Sequence, residues 1–356
     1  VPPLLEKEGR KKEFSGVEKA VSPRISDFTN RVRKNARHLA KWARRSAVQC
    51  YRVYDKDIPE FAFALDLYGG RAHLQEYQRR AAVPDDPARA HWREEVRRAA
   101  ADALGLAAER VTLKQRARRQ AGEQHGGTGL RGRDFVVEEG GLRFLVNLEA
   151  HLDTGLFLDH RITRGLVQEE AAGRRCLNLF CYTASFTVYA AAGGAAGSLS
   201  VDLSNTYLEW ARRNLQLNRL DMSRHQLLRS DALRWLVEAN RNGERFGLIV
   251  LDPPSASKSK AMSRALDLQR DHVALIADCA SLLEPGGVLY FATNLQRFQV
   301  SAGAFAGLNA EEISQRTVPP DFRNQRIHRC WRAVNAGPSA SCSPPRESAP
   351  LVPSQP

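Results

Sequence analysis

Among the six cysteines of this 356-residue sequence (Cys50, Cys176, Cys181, Cys279, Cys330 and Cys342) there is no Cys-x-x-Cys pair. That spacing offers no zinc framework, so the expectation is no metal and reduced thiols in a cytoplasmic protein. No apolar run is long enough to cross a bilayer, and the opening VPPLLEKEGRKKEF has no signal-like core, which argues against a membrane role. The strand-to-helix turn at 181–184, Cys-Tyr-Thr-Ala, has no Gly-x-Gly-x-x-Gly, which argues against a nicotinamide dehydrogenase. The chain opens on Val rather than Met, and residues 1–25 are polar and aperiodic, so they read as a linker in a fragment or processed product. Residues 336–356 are Pro/Ser-rich and read as a disordered tail.

What the chain does have is unevenly placed charge. Residues 1–133 carry 29 Lys and Arg against 17 Asp and Glu, and the remainder 24 against 23, within a net charge of +13. Excess charge gathered on the first third suits a polyanion, with nucleic acid before a membrane surface. DFTNRVRKNARHLAKWARR (27–45) predicts a helix capped by Asp27 or Thr29. Val32, Ala36, Leu39 and Ala43 share one face, while Arg31, Lys34, Arg37 and Lys41 are among the bases crowding the rest. Strand-like runs, a helix over 86–105 and a hairpin turning at Glu139-Gly140-Gly141 then predict a small α+β domain. With its basic helix, this RNA-binding unit spans 26–150. Lys114, Arg116 and Arg118 form a second basic patch within it.

From about residue 151 to 335 apolar strand-like runs alternate with helical ones, predicting an α/β, doubly wound, mostly parallel sheet. Ligands of such sheets bind outside the carboxyl ends of the strands. Read in order, those ends are Asn178-Leu-Phe180, Asp202, Asp231, Asp252-Pro253-Pro254 and Thr293-Asn294. Asp202 is placed to accept from two ribose hydroxyls, and Asp231 from an adenine amino group. Tyr182 and Ala184 stand where a pyrophosphate loop wants glycine. A cofactor without phosphates therefore fits better, and S-adenosylmethionine is such a cofactor. Taken singly, an Asp after a strand is more often a helix cap; the ordered set carries the reading.

Seven stretches, LDTGLFLDHR, LNLFCYT, VDLSNTYLEWARRNLQLN, DALRWL, LDPPSASKSK, QRDHVALI and NQRIHRCW, resemble the class I S-adenosylmethionine-dependent rRNA methyltransferases. The resemblance, over about residues 26–334, is strongest to the C-terminal half of the bifunctional large-subunit rRNA guanine methyltransferases. It implies a Rossmann-like domain that methylates guanine N7 of 23S rRNA, and an N-terminal half as partner. It assigns Asn178, Phe180, Tyr182 and Thr183 to the methionine end of the cofactor, Asp202 and Ser204 to the ribose, and Asp231 and Ala232 to the adenine. Asp252, Pro253 and Pro254 would form the floor near the methyl group, with Asn294 beside them. Asp153, Gly155, Asp159 and Arg161 would cover the pocket, and Lys258 would meet RNA. Where the family has Gly this chain has Ala184; if that position needs positive φ, Ala costs on the order of 1 kcal/mol.

Chemistry separates the possible acceptors. Cytosine C5 requires a cysteine nucleophile, and the expected places hold Ser255 and Thr293-Asn294. An exocyclic amine such as guanine N2 favours an aromatic residue after the paired prolines, where Ser255 stands. Guanine N7 needs neither device, because its lone pair is free at neutral pH and alignment supplies much of the barrier reduction. Asp252 is then a positioner and a source of negative field. A non-catalytic RNA-binding module with a degenerate cofactor fold is the alternative from another class.

Overall fold

The computed structural model describes residues 24–77, 87–116, 132–151, 153–257 and 264–337. The expected linker (but for residues 24 and 25), Arg118, Lys258 and nearly all of the tail lie outside these residues. Helix α1 (Ile25–Arg45) starts two residues earlier than its sequence suggested, with Arg24 at the cap in place of Asp27 or Thr29. Asp27 instead lies in the first turn, where its carboxylate accepts the Arg24 backbone N–H at 2.8 Å and complements the helix dipole. Thr29 donates its hydroxyl back to the Ile25 carbonyl at 3.0 Å. Phe28, Val32 and Ala43 are buried, while Arg31, Lys34, Arg37 and Lys41 are exposed.

Strands β1 (Cys50–Asp55), β2 (Phe63–Tyr68) and β3 (Arg71–Tyr77) run antiparallel. Helix α2 (Pro87–Leu104) leads to β4 (Val111–Arg116), which adds in parallel to β3. Phe28 of α1 meets Tyr54 edge-on at 4.9 Å and stacks on Phe61 at 5.2 Å, so the basic helix is anchored by aromatic burial. A separate hairpin follows, β5 (Phe135–Glu139) and β6 (Leu142–Val146). It turns on Gly140 and Gly141 at φ +61° and +77°, the left-handed pair that a type I′ two-residue loop requires. Val137, Phe144 and Val146 pack with Cys50 and Tyr68 on the small sheet and with Val188, Tyr189 and Leu215 of the following half.

That half starts with α3 (Arg161–Glu170). It continues with β7 (Arg175–Leu179), α4 (Ser185–Ala192), β8 (Gly197–Asp202) and α5 (Asn205–Leu217). Then come β9 (His225–Arg229), α6 (Ala232–Arg241) and β10 (Phe246–Leu251). A short ladder of β11 (Ala256–Ser257) and β12 (Leu266–Asp267) precedes α7 (Leu268–Ser281) and β13 (Leu283–Thr293). The chain closes with β14 (Asn309–Glu312), α8 (Ser314–Thr317) and β15 (Arg329–Val334). The seven-stranded order is β14-β15-β13-β10-β7-β8-β9. Five strands are parallel, and β15 runs antiparallel between β13 and β14. Every residue of β10 is buried, as a strand covered on both faces must be. Chain order reverses between β7 and β10, which opens a crevice at their carboxyl ends.

One buried ion cluster ties the halves together. Glu139, fully buried, accepts Arg161 Nε at 2.9 Å and Arg164 Nε at 3.1 Å. Arg161 Nη1 reaches Asp321 at 2.8 Å, and Asp321 accepts the Arg52 backbone N–H of β1 at 2.9 Å. Arg161 also donates to the Cys50 carbonyl. Charges taken this far from water persist only when paired in this way.

Candidate active site

The turn after β7 is the most strained backbone among the described residues. Of six non-glycine residues with positive φ, three alternate within it: Phe180 at +56°, Tyr182 at +53° and Ala184 at +59°. Each left-handed L-residue costs roughly 1–2 kcal/mol, so the surroundings must hold this turn in place. They do so from several sides. Cys181 N–H donates to the Val201 carbonyl at 3.1 Å, and Tyr182 N–H to Asp202 Oδ2 at 2.9 Å. The Thr183 carbonyl accepts Asn214 Nδ2 at 3.0 Å. Gly155 bridges the turn: its N–H donates to the Tyr182 hydroxyl at 2.9 Å, and its carbonyl accepts the Thr183 hydroxyl at 2.7 Å. Ala184 occupies a left-handed position at φ +59°, so the condition under which alanine costs more than glycine there is met. Asn178 is buried and donates to Thr187 Oγ1 at 2.9 Å, so it and Thr183 brace the turn from behind.

Beyond the next strands stand two acidic caps. Asp202 ends β8, and its other oxygen accepts the Ser204 N–H at 2.9 Å, so two backbone donors fix the carboxylate plane. Ser204 caps α5, accepting Tyr207 N–H at 3.3 Å. Asp231 caps α6 by accepting Leu233 N–H at 3.1 Å, and Ala232 begins that helix, buried. The capping function of Asp231 is thus real, and it sets the carboxylate beside β8, where Ser230 N–H joins the Asp202 carbonyl at 3.1 Å. At the lip, Phe157 is 39% exposed with its ring 5.0 Å from Tyr182. Its carbonyl is held by buried Arg164 at 2.8 Å.

Across the crevice, β10 delivers Asp252 into a group of acids and imidazoles. His160 Nε2 lies 3.5 Å from Asp252 Oδ2 and 3.8 Å from Asp159 Oδ2. His328 Nδ1 lies 3.3 Å from Asp159 Oδ2, and its Nε2 is 2.9 Å from Thr317 Oγ1. The two rings stack with centroids 4.9 Å apart. Burial pushes the Asp252 carboxyl above its ordinary range; His160 opposes this and Asp159 adds to it. Burial also acts to raise Asp159, but His160 and the His328 hydrogen bond outweigh it and hold that carboxyl low. Sequence reasoning named Asp159 and Asp252 and missed both histidines, although each lies inside a quoted motif. Ser255 donates to Asn294 Oδ1 at 3.1 Å, joining the paired-proline turn of Pro253 and Pro254 to the end of β13.

Three residues or groups are placed otherwise than their sequence suggested. The Arg161 guanidinium turns into the buried ion cluster: its three nitrogens donate to Glu139, Asp321 and the Cys50 carbonyl, because a buried guanidinium must be paired. Lys114 does not stand out toward RNA; it donates to the His151 carbonyl, and burial lowers its pKa to about 8. The expected absence of metal-binding residues needs qualifying, because Asp159, His160 and His328 bring three ligand-type atoms within 4.8 Å of one another. The basic α1 face remains open, and Arg116 pairs its backbone with Tyr77 at the end of β4.

A family model described as S-adenosylmethionine-dependent methyltransferase matches residues 87–301. The chain is 52% identical over 307 residues to the ribosomal RNA large subunit methyltransferase K of Neisseria meningitidis, covering 86% of each protein. It is 50% identical over 341 residues to the methyltransferase K/L of Methylococcus capsulatus, covering 92% of this chain but 46% of that one. The chain thus spans nearly all of the first relative and under half of the second. Among solved structures, a putative S-adenosylmethionine-dependent methyltransferase from Streptococcus mutans superposes with a TM-score of 0.71 at 24% identity, covering 89% of this chain and 83% of that one. A putative methyltransferase crystallised with SAH gives 0.70 at 23%, with the same coverage. At such identities the likeness concerns the fold.

Proposed function

Because this chain belongs to the S-adenosylmethionine-dependent methyltransferases, in the group of the ribosomal RNA large-subunit methyltransferases K and K/L, we propose that it methylates guanine N7 of 23S rRNA. The observation that carries the reading is the strained turn braced by Asp202 and Gly155, facing Asp252 across the switch point. A degenerate module would have no reason to retain three left-handed residues in one turn, since such strain persists where function uses it. Bound S-adenosylmethionine supplies an electrophilic methyl on a sulfonium. The 180–184 turn and the caps Asp202, Ser204 and Asp231 have the donor and acceptor types to hold its amino-acid, ribose and adenine parts.

The N7 lone pair forms the new C–N bond, the electrons of the broken S–C bond stay on sulfur, and no proton leaves the purine. Asp252 stabilises the positive charge that develops on the base, while Pro253, Pro254 and the Ser255–Asn294 bond fix the floor. The thiols support this choice of acceptor over cytosine C5. Cys181 is buried, and burial, with Asp202 adding to it, drives its pKa well up, away from the thiolate that a nucleophile needs. N7 is out of reach in a regular A-form helix, so the target base must leave its stack. Exposed Phe157 is placed to receive it, and the basic face of α1 to hold flanking phosphates. We also read the chain as the counterpart of the C-terminal half of the two-part relatives, with an N-terminal half as partner. No helix among the described residues is long and apolar enough to cross a membrane.

The test is transfer of labelled methyl from S-adenosylmethionine to unmodified 23S rRNA, followed by nucleoside mass spectrometry. N7-methylguanosine is expected. A different methylated nucleoside would retain the fold and overturn the acceptor.

A further inference from the structure

We propose that His160 is a positioning residue: clamped by Asp159 and by the stacked His328 ring, it holds the Asp252 carboxylate toward the crevice. The inference rests on Asp252 acting in methyl transfer, as proposed above. His160 is 4% exposed, wedged between His328 and the edge of Phe186 at 5.7 Å. Its Nδ1 is buried without a hydrogen-bond partner. The neutral ring carries its proton on Nε2, because the other tautomer would leave the Nδ1–H without an acceptor and turn the Nε2 lone pair toward two carboxylates. That places the N–H between Asp159 at 3.8 Å and Asp252 at 3.5 Å. Asp159 is itself anchored by His328, and His328 by Thr317 of α8. The chain of contacts therefore runs from the α8 segment through two imidazoles to Asp252 on the crevice floor. Asp252 keeps 24% of its side chain exposed, whereas His160 keeps 6%. Only the carboxylate is presented to a substrate; the imidazole acts through it.

A single metal ion is a poorer occupant of this group. A metal lies in the plane of each imidazole that binds it, and stacked rings inclined by only 12° cannot both turn a lone pair to one ion. The ionisable groups acting on Asp252 are His160, Asp159, His328 and Arg164, with the Cys330 thiol nearby. His160 is the largest of the groups opposing its protonation.

The experiment is a 13C NMR titration of the Asp252 carboxyl in the ligand-free chain, comparing wild type with H160Q, and the acid limb of methyl transfer measured in parallel. H160Q retains an N–H near the Nε2 position but cannot become charged. The Asp252 midpoint and the acid limb are expected to move up together by about one pH unit in H160Q, since a nearby opposite charge shifts a carboxyl by this order or more. Turnover at the wild-type optimum should fall about tenfold while the cofactor Kd stays within twofold. An unmoved Asp252 midpoint would overturn the proposal, as would loss of activity on chelation that Zn2+ restores. H328Q, which leaves His160 in place, should give a smaller shift in the same direction; a larger one would also count against it. If the wild type makes a nucleoside other than N7-methylguanosine, the acceptor reading fails, while the carboxyl titration still decides the role of His160.

Discussion

Replacing Gly155 by alanine should break the link between the pocket cover and the strained turn. Gly155 sits at φ +98° and gives both backbone polar groups to Tyr182 and Thr183. A Cβ there would meet Trp210 Cζ2 at 2.2 Å, with two further ring atoms at 2.8 Å. Trp210 is buried and its Nε1 donates to the Leu145 carbonyl at 2.9 Å, so the ring has little freedom to give way. Backbone strain at such a φ costs about 1–3 kcal/mol, and overpacking about as much again. A loss of roughly 3 kcal/mol is the working expectation, which lowers Tm by roughly 6–12 °C for a domain of this size. Gly141→Ala is the control: φ is +77° with nothing within 4 Å of the new carbon, so strain acts alone. Thermal denaturation of both variants, with calorimetric cofactor binding, makes the comparison. G155A should be clearly the less stable and should bind cofactor at least tenfold more weakly. Equal destabilisation of the two, with cofactor affinity intact in G155A, would refute the close approach and the bracing assigned to it.

Other changes should separate binding from chemistry. Asp202→Asn should weaken cofactor binding about 10–100-fold, the worth of hydrogen bonds to a charged group, and calorimetry reads it directly. Asp252→Asn should cut kcat with little change in cofactor Kd; full turnover would remove its electrostatic role. Glu139→Gln leaves Arg161 and Arg164 buried without their anion and should destabilise by about 3–5 kcal/mol in a chemical melt. Burial acts to raise the Glu139 carboxyl, but Arg164 and Arg161 outweigh it and the net shift is downward. Its contribution is therefore full above the unfolded carboxylate pKa and lost as pH falls through the folded value; E139Q should lack that share of the acid sensitivity. RNA binding should weaken steeply with salt, and neutralising Arg37 and Lys41 should flatten the slope of log K against log salt by about 1–2.

The strand ends were legible because chain order and polarity announce them: an apolar run that stops at Asp202, Asp231 or Asp252 leaves little choice of register. The hairpin was equally plain, since Gly140-Gly141 suits the primed two-residue turns that join antiparallel strands. Three features gave less away. The start of α1 was misplaced because Asp27 looks like a cap, yet serves from inside the first turn. Strand β14, NAEE, has four exposed residues and no apolar alternation, so only its pairing with β15 defines it. The imidazole pair was invisible because Asp159 and His328 are 169 positions apart, and only the antiparallel return of β15 beside β13 brings them together. The partners of Arg161 were hidden for a related reason: Glu139 and Asp321 lie 22 and 160 positions away in sequence.

The most direct measurement compares two RNA fragments that differ at the target base, one with guanosine and one with 7-deazaguanosine, in which carbon replaces N7. Methyl incorporation into the first and none into the second, at similar binding affinity, is the expected result. Equal incorporation into both would show that another atom accepts the methyl, and would contradict the account.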